Sequence, residues 1–191
     1  MTGGYLGNAL AFLVDVTLGL YVFAVLLRFL FQSVRADFYN PISQSIVRIT
    51  NPPLSRLRRH VPSVGRVDTA SVLLLVGLQA LTIWLKFALL GHPPALAGML
   101  VGTVAALLTK TVYVMIGAIL ILVVASWVTP GGYSPLLSLA DDLARPLLRP
   151  VRRMLPDMGG LDLSPLVALV VLQLAMMLVV WPLRDMGLML S

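Results

Sequence analysis

Polar side chains inside apolar stretches are the first candidates for chemistry, because polar groups within a membrane are costly. Asp15 is the only acid inside a long apolar run, and Lys86 lies toward the end of another. Asp15 could pair with Lys86 or Lys110, which would make either a structural ion pair or a site for an ion or a proton. The alternative is that Asp15 reaches interfacial water while both lysines extend to the membrane surface.

Two glutamines occupy equivalent places, each about ten residues into an apolar run. At 1.5 Å per residue, Gln79 and Gln173 are expected near the middle of the membrane. We predict that they hydrogen-bond between helices, which contributes roughly 0.6–2 kcal/mol. The alternative is a polar transport site.

Arginines form the second group of candidates, since a guanidinium group binds phosphate and carboxylate well. They cluster in two strips, residues 54–60 and 148–154. One interpretation is that the strips fix the membrane topology and contact anionic lipid headgroups. The other is that they dock an acidic cytoplasmic protein. The candidate contact residues are Arg56, Arg58, Arg59, Arg149, Arg152 and Arg153.

Both strips belong to an internal repeat. Residues 41–79 and 135–173 align without a gap at a constant spacing of 94 residues. A repeat of fixed period is one supersecondary unit used twice. The motif residues that we expect to have a structural role are Asn40, Pro41, Pro62, Gly65, Asp68, Pro135, Pro156, Gly159 and Asp162.

Each copy of the motif predicts a short helix. A capping residue followed by proline is typical of a helix start, and the apolar residues that follow share one face. We expect this helix to lie in the inner membrane interface. It should end at Pro52 in the first copy and at Pro146 in the second, because proline lacks an N–H. Asp68 and Asp162 are placed to cap the apolar helices that come next.

Long apolar helices must position these residues. The chain is 59% hydrophobic and 12% charged, whereas soluble domains average about 25% charged residues. The N-terminus lacks the positive region of a signal peptide, so we expect the first apolar run to be retained. A crossing helix needs about 20 mostly apolar residues. Four runs qualify, at about residues 6–31, 69–90, 111–128 and 164–183.

The short apolar segment 95–109 leaves the number of crossings open. It predicts a fifth crossing, a re-entrant piece, an interfacial helix or an extension of the third span. The two loops that hold most of the arginines should both be cytoplasmic, so an even number of crossings separates them. We therefore predict four crossings with both termini outside and keep five as the alternative. The two repeats, residues 1–91 and 92–191, should run parallel in the membrane.

Composition also excludes several kinds of site. The chain has no Cys, which excludes disulfides and thiol chemistry, and all its acids are Asp. It contains no phosphate-binding glycine loop, nucleophile elbow or zinc-protease motif. His60 and His92 fall on opposite sides of the membrane in the four-crossing arrangement, so together they cannot ligate one haem within a monomer. We therefore predict no catalytic, cofactor-binding or metal-ligating residues, no enzyme activity and no nucleic-acid partner.

The duplicated pattern of an Asn-Pro helix, an Arg-Arg strip and Gly-x-x-Asp before an apolar helix resembles the YggT (YlmG) family. The resemblance covers nearly the whole chain and includes Arg28 before the first loop. The second copy reads Ala125-Ser126-Trp127 in the corresponding region and has no arginine there. The resemblance implies a bacterial or plastid membrane protein. Members of the family are tied to cell division and nucleoid organisation, to osmotic stress and, in plastids, to haem attachment.

These observations predict an all-α, multi-pass protein of the bacterial inner membrane. We expect it to organise or assemble a membrane complex through its cytoplasmic Arg/Pro loops. Its partners would be anionic lipids and either a membrane protein or further copies of itself. The alternative is a channel or transporter that affects osmotic balance, in which Asp15, Gln79 and Gln173 line a polar path.

Overall fold

A computed structural model describes residues 4–62, 68–91, 94–128, 131–155 and 162–190 of the chain. Every regular element in these ranges is a helix. In chain order the elements are α1 (Tyr5–Val34), α2 (Pro41–Leu57), α3 (Thr69–Leu89), α4 (Leu96–Val128), α5 (Pro135–Met154), α6 (Ser164–Ala175), a π-helical turn (Met176–Val180) and α7 (Trp181–Met189).

Four helical segments are long and apolar enough to cross a membrane. Three of them are α1, α3 and α4, and the fourth is the continuous segment Ser164–Met189. Their outer faces carry large exposed apolar side chains such as Leu20, Trp84 and Leu178, which suits a lipid environment. The predicted all-α class with four crossings is confirmed.

The third crossing is longer than predicted. Helix α4 is a single helix of 33 residues, about 50 Å long at 1.5 Å per residue. The segment 95–109 therefore extends the third span, and the five-crossing and re-entrant alternatives are wrong. Lys110 does not end the helix, because its ammonium group has a hydrogen-bond partner on α3.

The two Arg/Pro helices, α2 and α5, also continue past the prolines that were predicted to end them. Pro52 and Pro53 lie inside α2, and Pro146 and Pro150 lie inside α5. Proline at position 53 removes the helical N–H that would pair with the carbonyl of Ile49. The Tyr21 hydroxyl lies 3.5 Å from that carbonyl oxygen and donates to it. A donor from α1 thus compensates for the missing bond.

Both repeats contribute to one apolar core. The core joins Val25 and Leu26 of α1 to Leu75 of α3, Ala118 of α4 and Leu139 of α5. A second cluster joins α4, α5 and α6. The Arg/Pro helices are therefore packed against the crossing helices.

Helices α4 and α7 approach very closely at a pair of glycines. A Cβ on Gly187 would lie 3.0 Å from the backbone nitrogen of Gly102 and 3.2 Å from its Cα. These are backbone atoms, which cannot swing aside as a side chain can. Small residues at such a crossing allow the two backbones to pack against each other.

Candidate functional site

Arg58 and Asp68 connect the end of the first Arg/Pro helix to the start of α3. Arg58 Nη2 lies 2.5 Å from Asp68 Oδ2. The same carboxylate accepts hydrogen bonds from the Ser71 hydroxyl at 2.7 Å and from the Ser71 N–H at 3.4 Å. Asp68 is only 6% exposed. It therefore caps α3, as predicted, and holds Arg58 at the same time.

Arg152 and Asp162 repeat this arrangement in the second copy. Arg152 Nε and Nη2 each lie 3.0 Å from Asp162 Oδ2, and Nε also donates to the Ser164 hydroxyl at 3.3 Å. Leu163 occupies the N-cap position of α6, so the prediction that Asp162 is the N-cap is wrong by one residue. Asp162 nevertheless accepts the N–H of Ser164 at 2.9 Å.

Neither ion pair was predicted from the sequence, in which these arginines and aspartates look like separate features. The available signal was spacing, since Arg and Asp are ten residues apart in both copies. The second pair is more exposed, with 54% of the Arg152 side chain and 47% of the Asp162 side chain accessible. The first pair is therefore expected to stabilise the fold more than the second.

Both carboxylates have a lowered pKa, although burial opposes it. Burial by itself raises the pKa of Asp68, but hydrogen bonds from Arg58 and Ser71 outweigh that effect. Burial also raises the pKa of Asp162, and hydrogen bonds from Ser164 together with the charge of Arg152 outweigh it. Both aspartates are therefore ionised at neutral pH.

The other candidate arginines remain exposed. In the described parts of the chain they have no ion-pair partner. Each Arg-Arg pair is thus divided, with its first member bound to Asp and its second free to contact another molecule. The strip arginines that are exposed and have no ion pair among the described residues are Arg56, Arg59, Arg149 and Arg153.

The two Arg/Pro helices meet at their N-terminal ends. The Asn40 side chain caps α2 by accepting the N–H of Ile42 at 2.9 Å. Its Nδ2 donates to the carbonyl oxygen of Pro135, the first residue of α5, at 2.7 Å. Ser134 caps α5 through Leu137 N–H at 3.2 Å. The predicted helix starts are confirmed, and Asn40 also links the two repeats.

Arg28 fixes α2 against α1. Its Nη1 donates to the Thr50 hydroxyl at 2.9 Å and to the Val47 carbonyl at 3.2 Å, and the residue is buried. At a spacing of 94 residues, Leu122 and Ala144 replace Arg28 and Thr50, so the residue equivalent to Arg28 precedes the stretch 125–127 in which it was expected. Both residues belong to the apolar cluster of α4, α5 and α6, so the second copy has apolar packing where the first has this hydrogen bond.

The polar side chains of the crossing helices form two contacts. Lys86 Nζ lies 2.9 Å from Asp15 Oδ1, which joins α3 to α1. Lys110 Nζ donates to Gln79 Oε1 at 3.0 Å, which joins α4 to α3. The structural ion pair, one of the alternatives for Asp15, is therefore present.

Gln79 forms the predicted hydrogen bond between helices, although its partner is Lys110 and not Gln173. Gln79 is 4% exposed and is bonded to Lys110. Gln173 faces outward from the bundle, because its helix turns Leu172 rather than Gln173 toward the core. The polar path required by the channel alternative would have to include Gln173, so this geometry gives that alternative no support.

The remaining motif residues have simpler positions. Pro41 and Pro135 are the first residues of α2 and α5. The Pro62 carbonyl accepts the Thr69 hydroxyl at 2.6 Å. Gly65, Pro156 and Gly159 lie outside the described residues. Among the residues that are described, no three His, Asp or Glu side chains come together as a metal site would require.

Comparison with known proteins agrees with the duplicated architecture. The profile of the CCB3/YggT family matches residues 7–89 and again residues 101–183, the same 94-residue spacing. The Pseudomonas aeruginosa protein "Uncharacterized protein PA0392" is 43% identical over 176 residues, which cover 91% of this chain and 89% of that protein.

Two further relatives give similar values. "Uncharacterized protein YggT" of Escherichia coli K12 is 38% identical over 168 residues, which cover 86% of each chain. A Vibrio alginolyticus protein is 38% identical over 170 residues, which cover 88% of this chain and 91% of that protein. No solved structure matches the chain significantly. The profile and the relatives together show that the chain belongs to the CCB3/YggT family.

Proposed function

We propose that this protein is a non-enzymatic organiser of a membrane complex, acting at the cytoplasmic face of the bacterial inner membrane. The observation that carries the proposal is that the two arginines of each Arg-Arg pair have different contacts. Arg58 and Arg152 are held by aspartates, whereas Arg59 and Arg153 are exposed and have no ion pair among the described residues. A topology signal requires only positive charge, but this pattern keeps one cation free at the same place in each repeat.

Packing supports the same conclusion. The Arg/Pro helices are joined through Asn40 and Pro135, and each is tied to the following crossing helix. The exposed arginines are therefore presented by ordered helices, which reduces the entropy lost when a partner binds. An acidic protein surface or a cluster of anionic headgroups fits such cations. Cell division and osmotic stress are the processes in which we place this role.

Gln173 supports self-association or a partner inside the membrane. Its side chain is exposed on a helix whose neighbouring surface residues are apolar, including Val170 and Leu174. A polar group facing hydrocarbon is unfavourable unless another helix provides a hydrogen-bond partner.

The test is photocrosslinking in cells from positions 55 and 154, which are both exposed and close to the two strips. The Arg59→Gln/Arg153→Gln variant removes the second cation of each Arg-Arg pair but keeps both ion pairs. The Arg48→Gln/Arg184→Gln variant removes the same charge outside the strips and is the matched control. We expect a discrete protein adduct that is lost only in the first variant. Adducts to lipid alone, or equal loss in both variants, would contradict docking of a protein partner.

A further inference from the structure

A cavity of about 360 Å³ lies between the end of α1, the connection that follows it and α2, with Arg58 at the end of α2 also in its wall. Its polar wall carries Arg28, Gln32, Arg35, Ser43 and Arg58, and Phe38 is part of its apolar wall. This volume is sufficient for one small headgroup, within the size range of ligand pockets in general. The proposed function above uses only Arg58 among these residues, and there only as the partner of Asp68.

Ser43 gives the first sign that something binds here. It is 5% exposed, and its hydroxyl oxygen has no hydrogen-bond partner among the described residues. A buried hydroxyl without a partner loses about 1–3 kcal/mol relative to one that is bonded. Native structures leave few such groups unexplained, and Ser43 also lines the cavity, so a hydrogen-bond acceptor bound there would give this hydroxyl a partner.

The charge of the wall identifies the class of ligand. Three guanidinium groups line the cavity, and none of its described lining residues is an acid. Arg58 is also held from outside the cavity by Asp68. Arg28 donates only to the neutral oxygens of Val47 and Thr50 in the described contacts, and both bonds use the same nitrogen. A guanidinium has five N–H groups, so donors remain for an anion.

The second repeat shows that the fold does not require these residues. At a spacing of 94 residues, Leu122 replaces Arg28 and Leu137 replaces Ser43, whereas Arg152 still matches Arg58. The second ion pair forms with this apolar substitution. The cationic wall and the buried hydroxyl are therefore additions to the first repeat and not part of the shared architecture.

We propose that this cavity binds a phosphate group through Arg28, Arg35 and the Ser43 hydroxyl. Arginine matches the geometry of phosphate oxygens and forms paired hydrogen bonds with them. The source is either the headgroup of an anionic phospholipid or a free phosphate. The cavity lies where the first crossing helix ends at Val34, a depth at which both are accessible.

The test uses the full-length protein in a neutral detergent and monitors thermal unfolding by intrinsic tryptophan fluorescence. Short-chain phosphatidylglycerol and inorganic phosphate are titrated separately, with a short-chain phosphatidylcholine as the zwitterionic comparison, in which a quaternary ammonium group balances the charge of the phosphate. We expect saturable stabilisation by one of the two phosphates. Saturation by inorganic phosphate alone identifies a free phosphate, and saturation by phosphatidylglycerol alone identifies a headgroup.

Two variants decide whether the effect comes from this cavity. Ser43→Ala and Arg35→Gln should each raise the apparent Kd by about tenfold or more, since hydrogen bonds to charged groups contribute at the upper end of the usual range. Arg48 lies on α2, as Ser43 does, but does not line the cavity. The Arg48→Gln variant should therefore bind phosphate as the parent does. Stabilisation by neither phosphate would overturn the proposal, as would an equal loss of affinity in Arg48→Gln.

Arg28 is unsuitable as the only test because its loss also releases α2. The pocket variants leave Arg59 and Arg153 intact, so partner adducts in cells provide an independent readout. A variant that loses phosphate binding but keeps those adducts separates this site from the proposed organising role. Failure of phosphate binding in the parent protein would leave the organising role unaffected.

Discussion

The two Arg–Asp pairs have the same sequence spacing but should differ in strength. Asp68 accepts one ion-pair contact and two hydrogen bonds from Ser71 while it is 6% exposed. Asn at position 68 still accepts a capping bond but loses the charge. We expect Asp68→Asn to lower the free energy of unfolding by about 2 kcal/mol, because a hydrogen bond to a charged group contributes about 1.5–3 kcal/mol.

The matched change in the second copy should have a smaller effect. Both partners of the second pair are about half exposed, and exposed pairs contribute roughly 0–1 kcal/mol after solvent screening. Asp162→Asn should therefore lower the free energy of unfolding by about 0.5 kcal/mol. The assay is chemical unfolding in mixed micelles, followed by circular dichroism. Equal losses in the two variants, or a larger loss for Asp162→Asn, would refute the use of burial to rank the pairs.

The same pairs predict a loss of stability in acid. The folded-state pKa of Asp68 and that of Asp162 are both lowered from an unfolded value of about 3.9. Their contribution to stability is therefore fully present above that value and is lost as the pH falls through the folded-state pKa. The parent protein should lose stability below about pH 4, and the Asp68→Asn variant should lose less. An identical acid dependence in the two proteins would contradict this assignment.

Three further changes test other contacts by the same unfolding assay or by association. Gly187→Ala should destabilise the fold by about 1–3 kcal/mol, because its methyl group meets the Gly102 backbone and overpacking has a cost of that size; no loss would contradict the close approach. Lys110→Met should lower the free energy of unfolding by about 1–2 kcal/mol, because it leaves Gln79 buried without its donor. A second change, Gln79→Leu, should restore most of that loss, and no recovery would argue against the bond. Gln173→Leu should leave folding intact but weaken self-association measured by crosslinking in proteoliposomes, and unchanged association would remove Gln173 from the interface.

Hydropathy predicted the crossing helices well because their signal accumulates over about 20 residues. The predicted runs 6–31 and 69–90 correspond closely to Tyr5–Val34 and Thr69–Leu89. The predicted third run, 111–128, starts 15 residues too late, because α4 begins at Leu96 and Lys110 interrupts the apolar pattern of the sequence. A single charge is a local signal, and a neighbouring helix can satisfy it.

Contacts between elements were harder to predict than the elements themselves. Capping by Asp68 depends on residues close in sequence and was predictable. The ion pair between Arg58 and Asp68 depends on how the chain folds between them, and apolar periodicity carries no signal for it. Gln79 and Gln173 occupy equivalent places in the two copies, yet the partner of Gln79 is a lysine of α4. Symmetry in the sequence does not imply a symmetric contact.

The differences between the repeats distinguish two proposed roles of the arginines, which are docking of a partner at the surface and binding of a phosphate in the cavity. Exposed cations recur at equivalent positions in both copies, as Arg59 and Arg153, so a surface that uses them extends over both Arg/Pro helices. The cavity wall occurs in the first copy only, because Leu137 and Leu122 fill the corresponding places. Binding of a ligand in the one cavity and binding of a partner across both Arg/Pro helices should therefore be weakened by different substitutions. Changing Ser43 should affect only the ligand, and changing Arg153, which lies in the copy without the cationic wall, should affect only the partner.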